Sequence, residues 1–343
     1  MNIKTKDMYS HDAIKEIPAV REYLRKNHWP EGLQDTLLRG LNKYTRRYII
    51  ADDSGSMMAS DGAHLLGEGN KQQMVACSRW TELTTSMKFH AKLAEVAEAK
   101  TEFRLLNQPE PIMLGLGPEN DSVNYEKLMQ LFQKGPAGGT PLCKHIREVT
   151  AEIESHAAEL RANNQKAVIV IATDGRSSDG DVLNAMKPLE HLPVWVVIRL
   201  CTDETDIANY WSNIDKQLEL EVDVLDDLTS EAQEVREHNP WLNYGVPMQR
   251  LREFGISTKE LDLLDERRLS SEQVRLCLSL ILGGKVDDYP HPEVEWPQFK
   301  AFLQKKLNES EMQWSPTKKS MKPWVSLTKL GRIYGKESKC SIM

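Results

Sequence analysis

Residues 48–57 read YIIADDSGSM. Tyr48 to Ala51 form an apolar strand that stops abruptly at two carboxylates, Asp52 and Asp53, followed by Ser54, Gly55 and Ser56. A plain turn asks for less than this, since Asn-Gly or a proline reverses a chain without acids. Two carboxylates and two hydroxyls aimed off the end of an apolar strand need a positive partner.

The texture on either side of this stretch sets the fold. Residues 167–172, AVIVIA, are apolar at every position, as a parallel strand covered on both faces requires. Residues 193–200 and 220–225 read as two more such strands, each preceded by a helix. Helical spacing runs over 79–99 (Met87, Phe89, Ala91, Leu93, Val96), 125–133 and 142–161, and 103–106 with 112–116 read as a hairpin about Gln108-Pro109-Glu110-Pro111. Strands alternating with helices imply a parallel sheet with right-handed crossovers. The predicted fold is α/β: a doubly wound, Rossmann-like sandwich with a mostly parallel six-stranded sheet, one antiparallel edge strand, and helical N- and C-terminal extensions.

Along the 343 residues, four regions follow. Residues 1–45 form a helical arm of two helices broken at Trp29-Pro30, and 46–238 form the sheet domain. Residues 239–315 are a helical extension with Asn-Pro, Gly-Gly and Pro-His-Pro breaks, and 316–343 a basic tail. Met57 to Ser78 reads as a long loop at the rim of the strand end, either shaping partner choice or simply mobile.

Composition narrows the function classes. Apolar content of 40% with 28% charged residues is that of an ordinary globular chain. A formal net charge of −7 argues against general nucleic-acid binding, which needs a basic surface. No run of about 18 apolar residues occurs and the first residues lack the apolar core of a secretory signal, so a cytoplasmic location is expected. The five cysteines are scattered without a CxxC pair and are expected to be reduced thiols.

Open parallel sheets bind ligands beyond the carboxyl ends of their strands, where the strand order reverses. The two strands flanking that reversal end in Asp52-Asp53-Ser54-Gly55-Ser56 and Thr173-Asp174-Gly175, and the loop Gly138-Gly139-Thr140-Pro141 lies between them in sequence. An oxygen-only set of carboxylates and hydroxyls, without sulfur or imidazole, suits a hard cation such as Mg²⁺.

These motifs resemble the metal-ion-dependent adhesion site of von Willebrand factor type A domains. D-x-S-x-S follows the first strand, Gly-Gly-Thr comes next, and T-D-G follows the fourth. The resemblance covers roughly residues 46–238 and matches all five ligand positions: Asp52, Ser54, Ser56, Thr140 and Asp174. It implies that the three hydroxyls touch a Mg²⁺ ion (Mn²⁺ or Ca²⁺ being alternatives) and that the two acids act largely through waters or hydrogen bonds. It further implies that one position stays open for an Asp or Glu of a protein partner. A cation with few direct carboxylate ligands is under-neutralised and attracts such a group. The expected function is a non-enzymatic binding module or scaffold.

Rival readings of the same residues are a Mg²⁺-dependent hydrolase of phosphoryl groups in the same crevice and a metal-free interaction domain. A haloacid-dehalogenase phosphatase would need a second carboxylate where Ser54 stands, an EF-hand starting at Asp174 fails at Ala185, and no GxxxxGK[ST] occurs. Cys143 and His145 are two apart on a helix and point to different faces, so no nucleophile–base pair is expected.

The tail carries a second signal. Cys340-Ser341-Ile342-Met343 fits the C-a-a-X prenylation order, with Cys340 as the lipidation site. Between Lys318 and Lys339 lie seven Lys or Arg and one acid, Glu337, interleaved with Trp324, Leu327, Leu330, Ile333 and Tyr334. A lipid with a polybasic stretch gives the two signals that stable anchoring to an inner leaflet requires.

Overall fold

The computed structural model describes residues 16–256 and 258–335. Eight strands matter here: β1 (Tyr44–Ala51), β2 (Gly62–Leu66), β3 (Gln73–Cys77), β4 (Thr101–Leu105), β5 (Ile112–Leu114), β6 (Lys166–Thr173), β7 (Val194–Leu200) and β8 (Val222–Leu225). Six of them make one sheet in the order β5-β4-β1-β6-β7-β8. All pairings in it are parallel except β4 with β5. The predicted α/β sandwich with one antiparallel edge is therefore the observed fold. Its strand order reverses between β1 and β6.

Side chains alternate across the central strands. Ile49, Ala51, Val168 and Val170 face one apolar cluster, while Tyr48, Ile50, Ile169 and Ile171 face the other. The second cluster is completed by the helices Leu142–Ala162, Val182–Met186 and Thr205–Asp215 through residues such as Ile146, Met186 and Trp211. The first contains helix Arg79–Ala97 and also both flanks of the chain. Val20, Leu24, Leu33 and Leu37 from the arm join Met248, Leu251, Phe254, Leu278 and Ile281 from the extension, and Trp324, Leu330 and Tyr334 from beyond residue 316.

The helical flanks thus share one core with the sheet. The arm is two helices, Pro18–Lys26 and Glu31–Lys43, separated where His28 takes a left-handed φ of 60° and Pro30 is extended. Where the sequence suggests a basic tail, residues up to 335 are folded, with a short hairpin (Gln313–Ser315, Ser320–Lys322) and a helix, Leu327–Tyr334. The interleaved apolar residues cause this: Trp324 and Leu330 are wholly buried, while Lys318, Lys319 and Lys322 before them are exposed and Lys329 donates to the Pro240 carbonyl. Cys340 lies outside the described residues.

The stretch read as a loop, 57–78, holds an antiparallel hairpin, β2 with β3, in register from Gly62 opposite Cys77 to Leu66 opposite Gln73. Its residues are mostly half-exposed on both faces, so no strict alternation marked it. The turn uses Gly67 and Gly69, both at positive φ. The Glu82 carboxylate accepts from the Ala63 backbone N–H at 2.9 Å and fastens the hairpin to helix Arg79–Ala97. That helix begins at a Ser78 cap, whose hydroxyl accepts from the Thr81 N–H.

Helix Pro118–Lys134 starts earlier than its apolar spacing suggests. The buried Asp121 carboxylate accepts from the backbone N–H groups of Gly115, Leu116 and Gly117 and holds the polar first turn in place.

Candidate functional site

Three loops meet above the carboxyl ends of β1 and β6. The β1 ladder runs one residue past the strand, with Asp52 N–H donating to the Ala172 carbonyl at 2.8 Å. The chain then turns, and Asp52 folds back: its Oδ1 accepts from the Ser54 N–H at 2.9 Å and its Oδ2 from the Thr173 hydroxyl at 2.7 Å. The carboxylate is therefore clamped between the two switch-point strands. It is fully buried, and burial pushes its carboxyl above the usual range; bonds from Ser54 and Thr173 oppose that rise, and the neighbouring Asp174 charge adds to it.

From Asp52 a chain of oxygens leads across the gap. Ser54 and Ser56 hold their hydroxyl oxygens 3.0 Å apart, and Ser56 donates to Asp174 Oδ1 at 2.9 Å. A short 3-10 turn, Gly55–Met58, points Ser56 outward while Met57 is buried beneath. Asp174 is also buried, and its second oxygen, Oδ2, accepts from Arg79 Nη1 at 3.0 Å.

Thr140 enters on a loop stitched to both of the others. Gly138 accepts through its carbonyl from Gly55 N–H at 3.2 Å, and the Thr140 carbonyl accepts from the Ser178 N–H at 2.8 Å. The Ser178 hydroxyl in turn accepts from the Thr140 N–H at 3.2 Å. Four of the five sequence-predicted residues, Asp52, Ser54, Ser56 and Asp174, are linked by hydrogen bonds. Thr140 joins them through its loop rather than through its side chain.

Asp53, the second acid of the opening stretch, has another task. Its Oδ1 accepts from both the backbone N–H and the side-chain amide of Asn107, at 2.8 and 2.9 Å, and its Oδ2 from the Gln108 amide at 3.2 Å. Asn107 also donates to the Gly139 carbonyl at 2.9 Å, and Ala137 N–H donates to the Asp53 carbonyl at 2.7 Å. Asp53 and Asn107 are thus the scaffold of the Thr140 loop. Gly138 sits at φ +103°, and a Cβ there would meet the Asn107 amide oxygen at 2.4 Å.

Neither Asn107 nor Arg79 was singled out from sequence. A lone Asn after a strand and a lone Arg at a helix start are too common to stand out. Cys143 and His145 each bond elsewhere: the Cys143 N–H donates to Asp179 Oδ1 at 2.9 Å, and His145 Nε2 bonds to the Leu106 carbonyl at 3.1 Å. The four described cysteines, Cys77, Cys143, Cys201 and Cys277, are free thiols.

The donor chemistry fits a small hard cation. Two neighbouring ligands of an octahedral ion at ~2.0–2.1 Å lie about 3 Å apart, the spacing of the Ser54 and Ser56 hydroxyls, which a hydrogen bond also adopts. Elsewhere, Glu231, Glu234 and Asp265 bring carboxylates together. Arg252 bonds Glu231 at 2.6 Å and Asp265 at 3.2 Å, as well as Asp223 at 3.0 Å, which makes that cluster an ion-paired brace between helices.

Among the described residues no helix is long and apolar enough to cross a membrane. Compared with models of known protein families and with curated proteins, the chain matches no family and no individual protein significantly.

Proposed function

We propose that this chain is a binding module of the von Willebrand factor type A kind. It would hold Mg²⁺ through Asp52, Ser54, Ser56, Thr140 and Asp174 and use the ion's open position to grip an Asp or Glu of a protein partner. The observation that carries the reading is the oxygen chain from Asp52 through Ser54 and Ser56 to Asp174, at the reversal of strand order.

The chain's own residues divide the work. Asp52, clamped by Thr173, fixes the Ser54 backbone and so the direction of both serine hydroxyls. Asp174 orients Ser56 by accepting a hydrogen bond from its hydroxyl. Asp53 and Asn107 carry the Thr140 loop to the same edge. When bound, the cation supplies a Lewis-acidic site for a carboxylate oxygen. Ser56 is exposed and Met58 is 58% exposed beside it, so a protein surface can approach directly.

Thermal unfolding with MgCl₂ tests the reading. At ~100 times its dissociation constant a ligand adds about 2.7 kcal/mol, and this gain should be absent in Asp52→Ala. An equal gain in the variant, or none in the wild type, would dismiss the metal site. Turnover of p-nitrophenyl phosphate that depends on Mg²⁺ and on Asp174 would favour the hydrolase instead.

A further inference from the structure

Arg79 is the one cation bonded to the candidate ligand set among the contacts described above, and it enters from a rigid place. It is the first residue of helix Arg79–Ala97, just after the Ser78 cap, and only 7% exposed. Its guanidinium serves three carboxylates from three loops. Nε and Nη2 form a fork on Asp61, at 2.7 and 2.6 Å; Nη1 bonds Asp174 Oδ2 at 3.0 Å; and Nη2 bonds Glu204 at 3.0 Å. Its backbone N–H donates to the Ala59 carbonyl at 3.0 Å.

Two consequences follow from these bonds. Asp174 has its oxygens divided, Oδ1 toward the Ser56 hydroxyl and Oδ2 toward Arg79. A cation seated against the serine hydroxyls approaches from the Oδ1 side, so Arg79 need not leave, yet its charge offsets one of the two acids that would neutralise the ion. The other consequence is mechanical. Asp61 directly precedes β2 and Arg79 follows β3 by two residues, so the Arg79–Asp61 fork closes the neck of the hairpin.

We infer that Arg79 sets how tightly this site holds its cation and ties that hold to the position of the β2–β3 hairpin. The inference rests on the metal reading above. By keeping the bound ion under-neutralised, Arg79 trades cation affinity for attraction toward an incoming carboxylate, and through Asp61 it fixes the hairpin beside which that carboxylate arrives. It is a positioning and tuning residue, since its bonds are to Asp174 and Asp61.

Calorimetric titration of MgCl₂ into the full chain, with tryptic cleavage at Lys71 in the hairpin turn as a second readout, tests it. Arg79→Met should bind Mg²⁺ on the order of tenfold tighter, because a fixed positive charge is removed a few ångströms from the ion. Arg79→Lys keeps the charge and should stay within about threefold of wild type. Both should be cut faster at Lys71 in EDTA, because neither side chain can fork onto Asp61. Should Arg79→Met fail to fold, Asp61→Asn, at an exposed position, should show weaker Mg²⁺ binding and faster cleavage. A folded Arg79→Met, or Asp61→Asn in its place, with wild-type Mg²⁺ affinity and wild-type cleavage overturns the inference while leaving the metal reading intact. A wild type that binds no Mg²⁺ overturns both.

Discussion

The Arg47 guanidinium lies 4.2 Å from the centre of the Phe254 ring and donates through Nε to the Phe254 carbonyl at 3.1 Å. This joins the first strand of the sheet to a segment more than 200 residues later. Among the described residues no carboxylate is bonded to Arg47, and its buried Nη2 finds no hydrogen-bond partner there. Burial pushes the guanidinium down to about 9, so it stays charged at neutral pH.

An unpaired buried charge costs more than one cation–π contact returns. Arg47→Met keeps most of the volume and the contact with Phe254. It is expected to raise stability by about 1 kcal/mol at pH 7, read as a higher urea midpoint at unchanged m. A loss of more than about 1 kcal/mol would show that the carbonyl bond and ring stacking outweigh desolvation.

Asp53 and Asp52 are adjacent but should fail differently. Asp53→Ala strands the Asn107 and Gln108 donors and is expected to cost about 2–3 kcal/mol in urea unfolding, with a weakened but measurable Mg²⁺ response. Asp52→Ala should remove that response. Identical Mg²⁺ titrations for the two variants would contradict the division between scaffold and ligand.

Gly138→Ala places a methyl group into the Asn107 amide at a left-handed backbone angle. The backbone term alone costs roughly 1–2 kcal/mol, and the collision adds to it. The loop must shift, carrying Thr140 with it. The expected result is reduced Mg²⁺ affinity with a smaller loss of global stability, measured by paired titration and unfolding. Wild-type affinity would mean that Thr140 tolerates a displaced loop.

The brace around Arg252 makes two predictions. Arg252→Met leaves Asp223, Glu231 and Asp265 without their shared cation and is expected to cost about 3–5 kcal/mol. Nearby, Asp262 is raised to about 7, first by burial and then by the charge of Asp223. A carboxyl raised in the folded chain above its unfolded value contributes stability at low pH that is lost as the pH climbs through about 4 to 7. Asp262→Asn never ionises, so it should gain on wild type between pH 5 and pH 8. Parallel pH profiles would show that Asp262 titrates normally.

How legible was all this in the sequence? The central strands were plain because β6 and β7 are buried on both faces and so admit only apolar residues. Ser, Gly and acids after a strand are often only turn chemistry, so D-x-S-x-S stood out only together with Gly-Gly-Thr and T-D-G, in that order and on those elements. Asp53 was visible as an acid, but its role was not: nothing in one chain says that its partner is Asn107. Arg79 was hidden for the same reason, because its three carboxylates come from positions 61, 174 and 204. The β2–β3 hairpin escaped because half-exposed strands carry no periodic pattern. Basic character masked the folding of residues 316–335, where Trp324 and Leu330 decide the outcome.

The arm and the last described helix lie in the same apolar cluster, and Gln313 donates to the His28 carbonyl at 2.8 Å. That arrangement has a consequence for synthesis. A chain emerging from the ribosome cannot complete this cluster until Leu330 and Tyr334 have left the exit tunnel. Until then, one face of the sheet is without its final cover and exposed to chaperones.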